Sequence, residues 1–112
     1  MSEIIAAATL IAKGYRVLAR RCRTPYGEID LIATRGRKII FVEVKRRATF
    51  PEAEAALSAR QGGRIARAAE HWTQHNPRFR DFDVSIDALL IAPGRLPRHL
   101  PGALNVALLR RR

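Results

Sequence analysis

Hydrophobic spacing along the chain switches from helical to alternating and back, and the switches mark the elements. Alanine, leucine and isoleucine dominate "EIIAAATLIAK", which predicts a helix over 3–13 that stops at Gly14. "YRVLARR" alternates and predicts a strand over 15–21, followed by a turn at "RTPYG", where Pro25 and Gly27 break the pattern. "EIDLIAT" and "KIIFVEVK" predict two more strands over 28–34 and 38–45. The "RGR" between them is too short for a crossover, so these strands run antiparallel. Pro51 and the alanines after it open a short helical or irregular segment. Ser58 then begins the longest helix: Ser58 and Gln61 have capping-box spacing, and Ile65, Ala68 or Ala69, and Trp72 form its inward stripe. Gly62 and Gly63 weaken its first turn by about 1 kcal/mol each relative to alanine. Asn76 and Pro77 end the helix, and "FDVSIDALLIA" predicts a last strand closed by Pro93 and Gly94. The order α-β-β-β-α-β implies an α/β fold, a mixed sheet flanked by helices.

Length and composition fit this picture. With 112 residues the chain makes one domain, 1–112, in which 95–112 reads as a loop and a basic tail ending in "RRR". Hydrophobic residues make up 47%, enough for one core. Cys22 is the single cysteine, so no internal disulfide forms, which suits a reducing, cytoplasmic setting. The first apolar run is about half the length that spans a bilayer.

Charge is the most telling part of the composition. Lys and Arg total 21 against 10 Asp and Glu, a net +11, and most of the cations are arginine. Such a domain is suited to polyanions, with nucleic acid the leading partner. No helix joins concentrated positive charge to a large apolar face, which argues against a membrane surface.

Against that basic background, "GEIDLIATRGRKIIFVEVKRR" sets Glu28, Asp30, Glu43 and Lys45 within apolar strands. Carboxylates there are costly unless something compensates their charge. If 34–37 form a four-residue loop, Ala33 faces Lys38, Asp30 faces Phe41 and Glu28 faces Glu43. Strand alternation then sets all four charged residues on one face. A register slip of one residue would move Asp30 to the other face. Clustered acids repel one another, and a hard divalent cation reverses that repulsion. Mg²⁺ takes one or two carboxylates and keeps waters for a substrate phosphate. Lys45, two positions beyond Glu43, lies about 6.6 Å further along the strand, within reach of an attacking water or of charge developing on phosphate. A cross-strand ion pair on an exposed sheet face gives a similar pattern.

"GYRVLARR", "GEIDLIA" and "FVEVKRR" closely resemble the YraN-like proteins, which are similar to archaeal Holliday-junction resolvases of the PD-(D/E)XK nuclease superfamily. The resemblance runs from Glu3 through the "FDV" at Phe82. It implies a restriction-endonuclease-like core and a Mg²⁺- or Mn²⁺-dependent nuclease acting on branched or structured DNA. Asp30, Glu43 and Lys45 would be its catalytic residues, and Glu3, Asp30 and Glu43 its metal ligands. It also points to a homodimer, because a four-way junction presents two symmetric scissile sites. Two positions depart from the pattern: Gln61 stands where similar proteins carry a lysine, and Asp81 where they carry an arginine. Glu3 also sits almost at the chain end. These departures keep open a non-catalytic nucleic-acid-binding protein that retains the fold and serves recombination or repair.

Other chemistry-bearing residues read as structural. His71 and His75 have helical metal-pair spacing, but the third ligand a zinc site needs is not in view. His99 is isolated among prolines, Cys22 reads as an inert half-buried thiol, and Trp72 as core. Asp83 and Asp87 fall on the polar side of the last strand, and hydrogen bonds or a nearby arginine would hold Asp83.

Overall fold

The computed structural model describes residues 1–106 and 108. Helix α1 spans Ser2–Ala12, followed by strands β1 Arg16–Thr24, β2 Gly27–Arg35 and β3 Lys38–Arg46. Helices α2 Phe50–Ala55 and α3 Ala59–Gln74 form the crossover to β4 Asp83–Ile91, with one 3₁₀ turn at Pro77–Phe79. The five strands lie in sequence order; every neighbouring pair is antiparallel except β3 and β4, which run parallel. The fold is therefore the expected α/β mixed sheet with helices packed on it; the segment at Pro51 is helical, as α2, and β5 (Arg98–Leu100) is added.

Each local choice has its cause. Gly14 leaves α1 at φ +91°, where L side chains are rarely found. The Ser58 hydroxyl accepts the Gln61 backbone N–H and caps α3; Thr49 does the same for Glu52 in α2. On one face of the sheet, α3 buries Ile65, Ala66, Ala68 and Ala69 against Ile29, Ile32, Ile39 and Phe41. The Trp72 ring packs edge-on to Phe41, as core. On the other face, α1 buries Ala6, Ala7 and Leu10 against Leu31, Ile40, Val42 and Leu89. Full burial of each large aliphatic or aromatic side chain contributes about 1.5–3 kcal/mol.

Two expectations are corrected here. The segment 95–112 is more than a loop and tail: Arg98–Leu100 pair with Leu90–Ala88, and Leu104 is buried in the core on the α3 side. A three-residue strand between prolines leaves no periodic signal. The "RRR" at 110–112 lies outside the described residues. The hairpin register also differs. Arg35 pairs with Lys38 and Ala33 with Ile40, not with Lys38, because Gly36 at φ +61° closes a tighter turn than a four-residue loop. The shift is two residues, so the parity of β3 survives.

Candidate functional site

The β2–β3 ladder runs from Arg35–Lys38 to Leu31–Val42 and stops there. One further step would set Asp30 opposite Glu43. Instead the Asp30 side chain enters the gap, and its carboxylate accepts the Val44 backbone N–H at 2.8 Å. The opposing strand bends at the same level. Arg21, facing Asp30 across β1, has φ +51°, the one positive value at a non-glycine among the described residues. Left-handed backbone of this kind costs about 1–2 kcal/mol. On β2, Ile29 belongs to the α3-side core while Leu31 belongs to the α1-side core, so alternation breaks at Asp30.

That bend redistributes the charged residues. Glu3, Glu28 and Asp30 border a pocket of about 200 Å³ with Arg21, Val44, Arg46 and Arg47. Glu43 and Lys45 lie against α3. The Lys45 ammonium is 3.1 Å from one Glu43 oxygen, and the Arg64 guanidinium is 3.8 Å from the other. Their side chains are 11% and 9% exposed for Lys45 and Glu43, so this pair is more than a solvated surface bridge. Glu28 and Glu43 therefore do not share one sheet face, as strict alternation required; Asp30 stands at the seam between their two sides.

Asp30 couples the two sides electrically. Burial raises its pKa to about 6; the Val44 N–H opposes that, Glu43 and Glu28 add to it, and Lys45 opposes it again. Its unfolded value is near 3.8, so the folded state holds the proton more tightly. Stability from this group is complete below about pH 4 and is lost as pH rises through 6. Asp30→Asn removes that loss. Discounted for solvent exposure, the variant gains about 1–2 kcal/mol near pH 8 and nothing near pH 4. Urea denaturation at the two pH values checks it; an equal gain at both would mean that the fold does not bind that proton.

Glu3 borders the pocket but is held elsewhere. Hydrogen bonding from its own backbone N–H lowers its pKa, as does the amino terminus at 3.1 Å, and Arg21 adds a smaller pull. Among the described residues, no group of three or more Asp, Glu, His or Cys side chains is placed to hold a metal ion. Asp30 and Glu43 are two carboxylates of the kind a largely hydrated Mg²⁺ takes, and repulsion from Glu43 and Glu28 adds to the burial that raises the Asp30 pKa. The chemistry of these oxygen donors suits a hard cation, but Glu43 already faces Lys45 and Arg64, and no all-protein cage forms among the described residues.

Two residues of α3 belong to this site beyond those the sequence singled out as catalytic. Gln61, oriented so that both ends of its amide are satisfied, donates to the Ala56 carbonyl at 3.1 Å and accepts from Lys45 at 2.7 Å. Arg64 donates to the Tyr26 and Glu28 carbonyls at 3.3 and 3.0 Å, passing over Gly27. Their i, i+3 spacing after the Ser58 cap was the available signal. A Cβ on Gly27, which has φ +109°, would lie 2.6 Å from Arg64 Nη1. Gly27→Ala should therefore destabilise by about 1–3 kcal/mol and displace Arg64 from Glu43, measured by thermal melting with and without the Arg64→Ala change. If Arg64→Ala restored full stability, the glycine's φ would carry none of the cost.

The remaining candidates resolve as follows. His71 and His75 rings lie 4.3 Å apart on α3, and His75 bonds the His71 carbonyl. Cys22 packs against the α3-side core, and burial raises its pKa. Asp83 is exposed, whereas Asp87 is fully buried, correcting the polar-side reading of β4. Ser85 and the Gly102 N–H both donate to one Asp87 oxygen, and His99 contacts the other at 2.7 Å. His99 in turn meets Lys13 at the end of α1, so it is not isolated.

No helix among the described residues is long and apolar enough to cross a membrane. Comparison with known proteins adds a lineage. The profile described as "Uncharacterised protein family UPF0102" matches residues 2–91. A UPF0102 protein of Rhodopseudomonas palustris strain BisB18 is 54% identical over 106 residues, 95% of this chain and 78% of that protein. One from Nitrobacter winogradskyi is 53% identical over the same span, covering 90% of its own length. The UPF0102 protein bll0669 of Bradyrhizobium diazoefficiens is 49% identical, with 80% of its length covered.

Proposed function

The chain belongs to the UPF0102 family, and from the resemblance of its acid-bearing strands to nuclease-superfamily proteins and from the placement of Asp30 we propose that it is a metal-dependent nuclease acting on branched or structured DNA. The observation that carries this reading is Asp30. Its carboxyl sits where the β2–β3 ladder ends and feels Glu43, Glu28 and Lys45 at once. Glu43 and Glu28 each have a cation within 4.0 Å, whereas Asp30 has none among the described residues, so its half-buried carboxyl is the one left open to an ion.

In this reading Asp30 and Glu43 hold Mg²⁺ or Mn²⁺, with Glu3 bordering the same pocket. Such an ion, when bound, lowers the pKa of a coordinated water and stabilises charge on a phosphoryl oxygen. The protein's own residues do the rest. The Val44 N–H fixes the Asp30 carboxylate. Gln61 and Glu43 hold Lys45 from two sides, so its ammonium can orient the attacking water or meet charge on the phosphate. Arg21, Arg46 and Arg47 at the pocket supply phosphate attraction without reading bases.

A second reading has its own support. Glu43 is already engaged by Lys45 and Arg64, and Glu3 by the amino terminus. A protein so arranged could bind DNA without cutting it. Incubation of branched, single-stranded and linear duplex DNA with the protein and Mg²⁺ or Mn²⁺, with Asp30→Asn as control, separates the two. Cleavage by the unsubstituted protein alone supports the nuclease. Salt-sensitive binding with no cleavage of any structure leaves the binding protein.

A further inference from the structure

A second basic feature lies beside the acids. Thr49, Phe50, Pro93, Arg95 and Arg98 line a cleft of about 530 Å³ between the start of α2 and the turn after β4. Both guanidiniums rest on one ring: Arg98 is 4.5 Å and Arg95 5.3 Å from the Phe50 centroid. Both arginines are exposed, and neither has a carboxylate within 4.0 Å among the described residues. No acid among the described residues lines the cleft. Two cations drawn to one ring repel each other, and a ring face at an exposed site returns only about 0.5–1 kcal/mol to each. An anion between or beside them would relieve that repulsion, and the planar fork of arginine suits phosphate.

The cleft continues from the candidate site along the chain itself. Val44, Arg46 and Arg47 border the acid pocket; Ala48, Thr49 and Phe50 border the cleft. The Arg47 N–H bonds the Ile91 carbonyl, which fixes this stretch to the end of β4. An extended polyanion leaving the acids would pass Arg46 and Arg47 and reach Arg95 and Arg98. Phe50 is buried beneath the arginines, so its ring is not free to stack on a base. We infer that this cleft is a phosphate subsite for the sugar-phosphate backbone of a strand that extends beyond the acids, read without regard to sequence; the inference rests on the nucleic-acid reading above.

Fluorescence anisotropy with labelled oligonucleotides, one short and one long, tests it. The Arg95→Ala/Arg98→Ala variant is compared with Arg78→Ala/Arg80→Ala, an equal loss of charge at the opposite end of β4. On the long strand the first variant should bind about tenfold more weakly than the second and lose about two units of salt slope. The deficit should shrink on the short strand, which cannot reach the cleft. Arg95→Lys/Arg98→Lys keeps the charge and should recover the slope. Equal losses in the two alanine variants would overturn the subsite and leave the nucleic-acid reading in place. No binding by the unsubstituted protein would overturn both.

Discussion

Asp30→Asn is expected to reduce DNA hydrolysis by at least about a hundredfold while leaving DNA binding unchanged or tighter. The substitution keeps an oxygen that can still accept the Val44 N–H, so the bend at the end of the ladder should survive. What goes is a negative ligand beside Glu43 and Glu28. Mg²⁺ gives up its waters reluctantly and depends on few carboxylates, so its affinity should collapse in calorimetry. Loss of a negative charge facing phosphate favours binding. Because cation and proton compete for one carboxyl with a pKa of about 6, Mg²⁺ affinity in the unsubstituted protein should climb between about pH 5 and 7. Lys45→Ala should behave differently: the ion still binds, but turnover falls by about a hundredfold or more, as for a lost transition-state contact. Metal binding by Asp30→Asn at unchanged affinity, with no cleavage by the unsubstituted protein, would end the nuclease reading.

Asp87→Ala should be the most destabilising single change in the described structure outside the hydrophobic core. The carboxylate is fully buried and serves Ser85, Gly102 and His99 together. Its removal strands those partners without water, at a cost of about 3–5 kcal/mol and a drop in melting temperature of more than about 10 °C. Burial alone would raise the Asp87 pKa, but hydrogen bonds from His99, Ser85 and Gly102 outweigh it and hold the value below the ordinary range. A depressed carboxylate contributes stability above its unfolded pKa and loses it as pH falls through the folded one. The variant's deficit should therefore narrow below about pH 4. Asp87→Asn retains an acceptor for Ser85 and Gly102 and should cost less. Equal melting temperatures for Asp87→Ala and the unsubstituted protein would show that the β4–β5 corner is held by apolar contact alone.

These two residues also show how far sequence reasoning reaches. Element order, the Ser58 cap and the inward stripe of α3 were legible because each rests on local spacing. That Glu43 and Lys45 share a side followed from parity within one strand; that they pair with each other did not. Asp30 was identified, but not the way it is held. Alternation assumes a regular strand, and an arginine at positive φ leaves no mark in composition. The buried role of Asp87 was missed because its partners come from two distant segments, the short strand at His99 and the turn at Gly102. Gln61 was noted as a departure from a pattern; only the packing of α3 across β3 brings its amide to Lys45.

The outermost position of β1 has a consequence of another kind. A nine-residue strand at the margin of a sheet offers a row of unused amides and carbonyls, the template from which aggregates grow. Here that margin carries Arg16, Arg20, Arg21 and Arg23, and the backbone turns out of true at Arg21. A second copy approaching it would meet like charge along its length and no flat ladder to extend. Part of the chain's positive charge thus guards this one edge against strand-to-strand pairing, whatever else it attracts. Replacing these arginines with valine or threonine would strengthen the strand on paper and invite fibres in the tube.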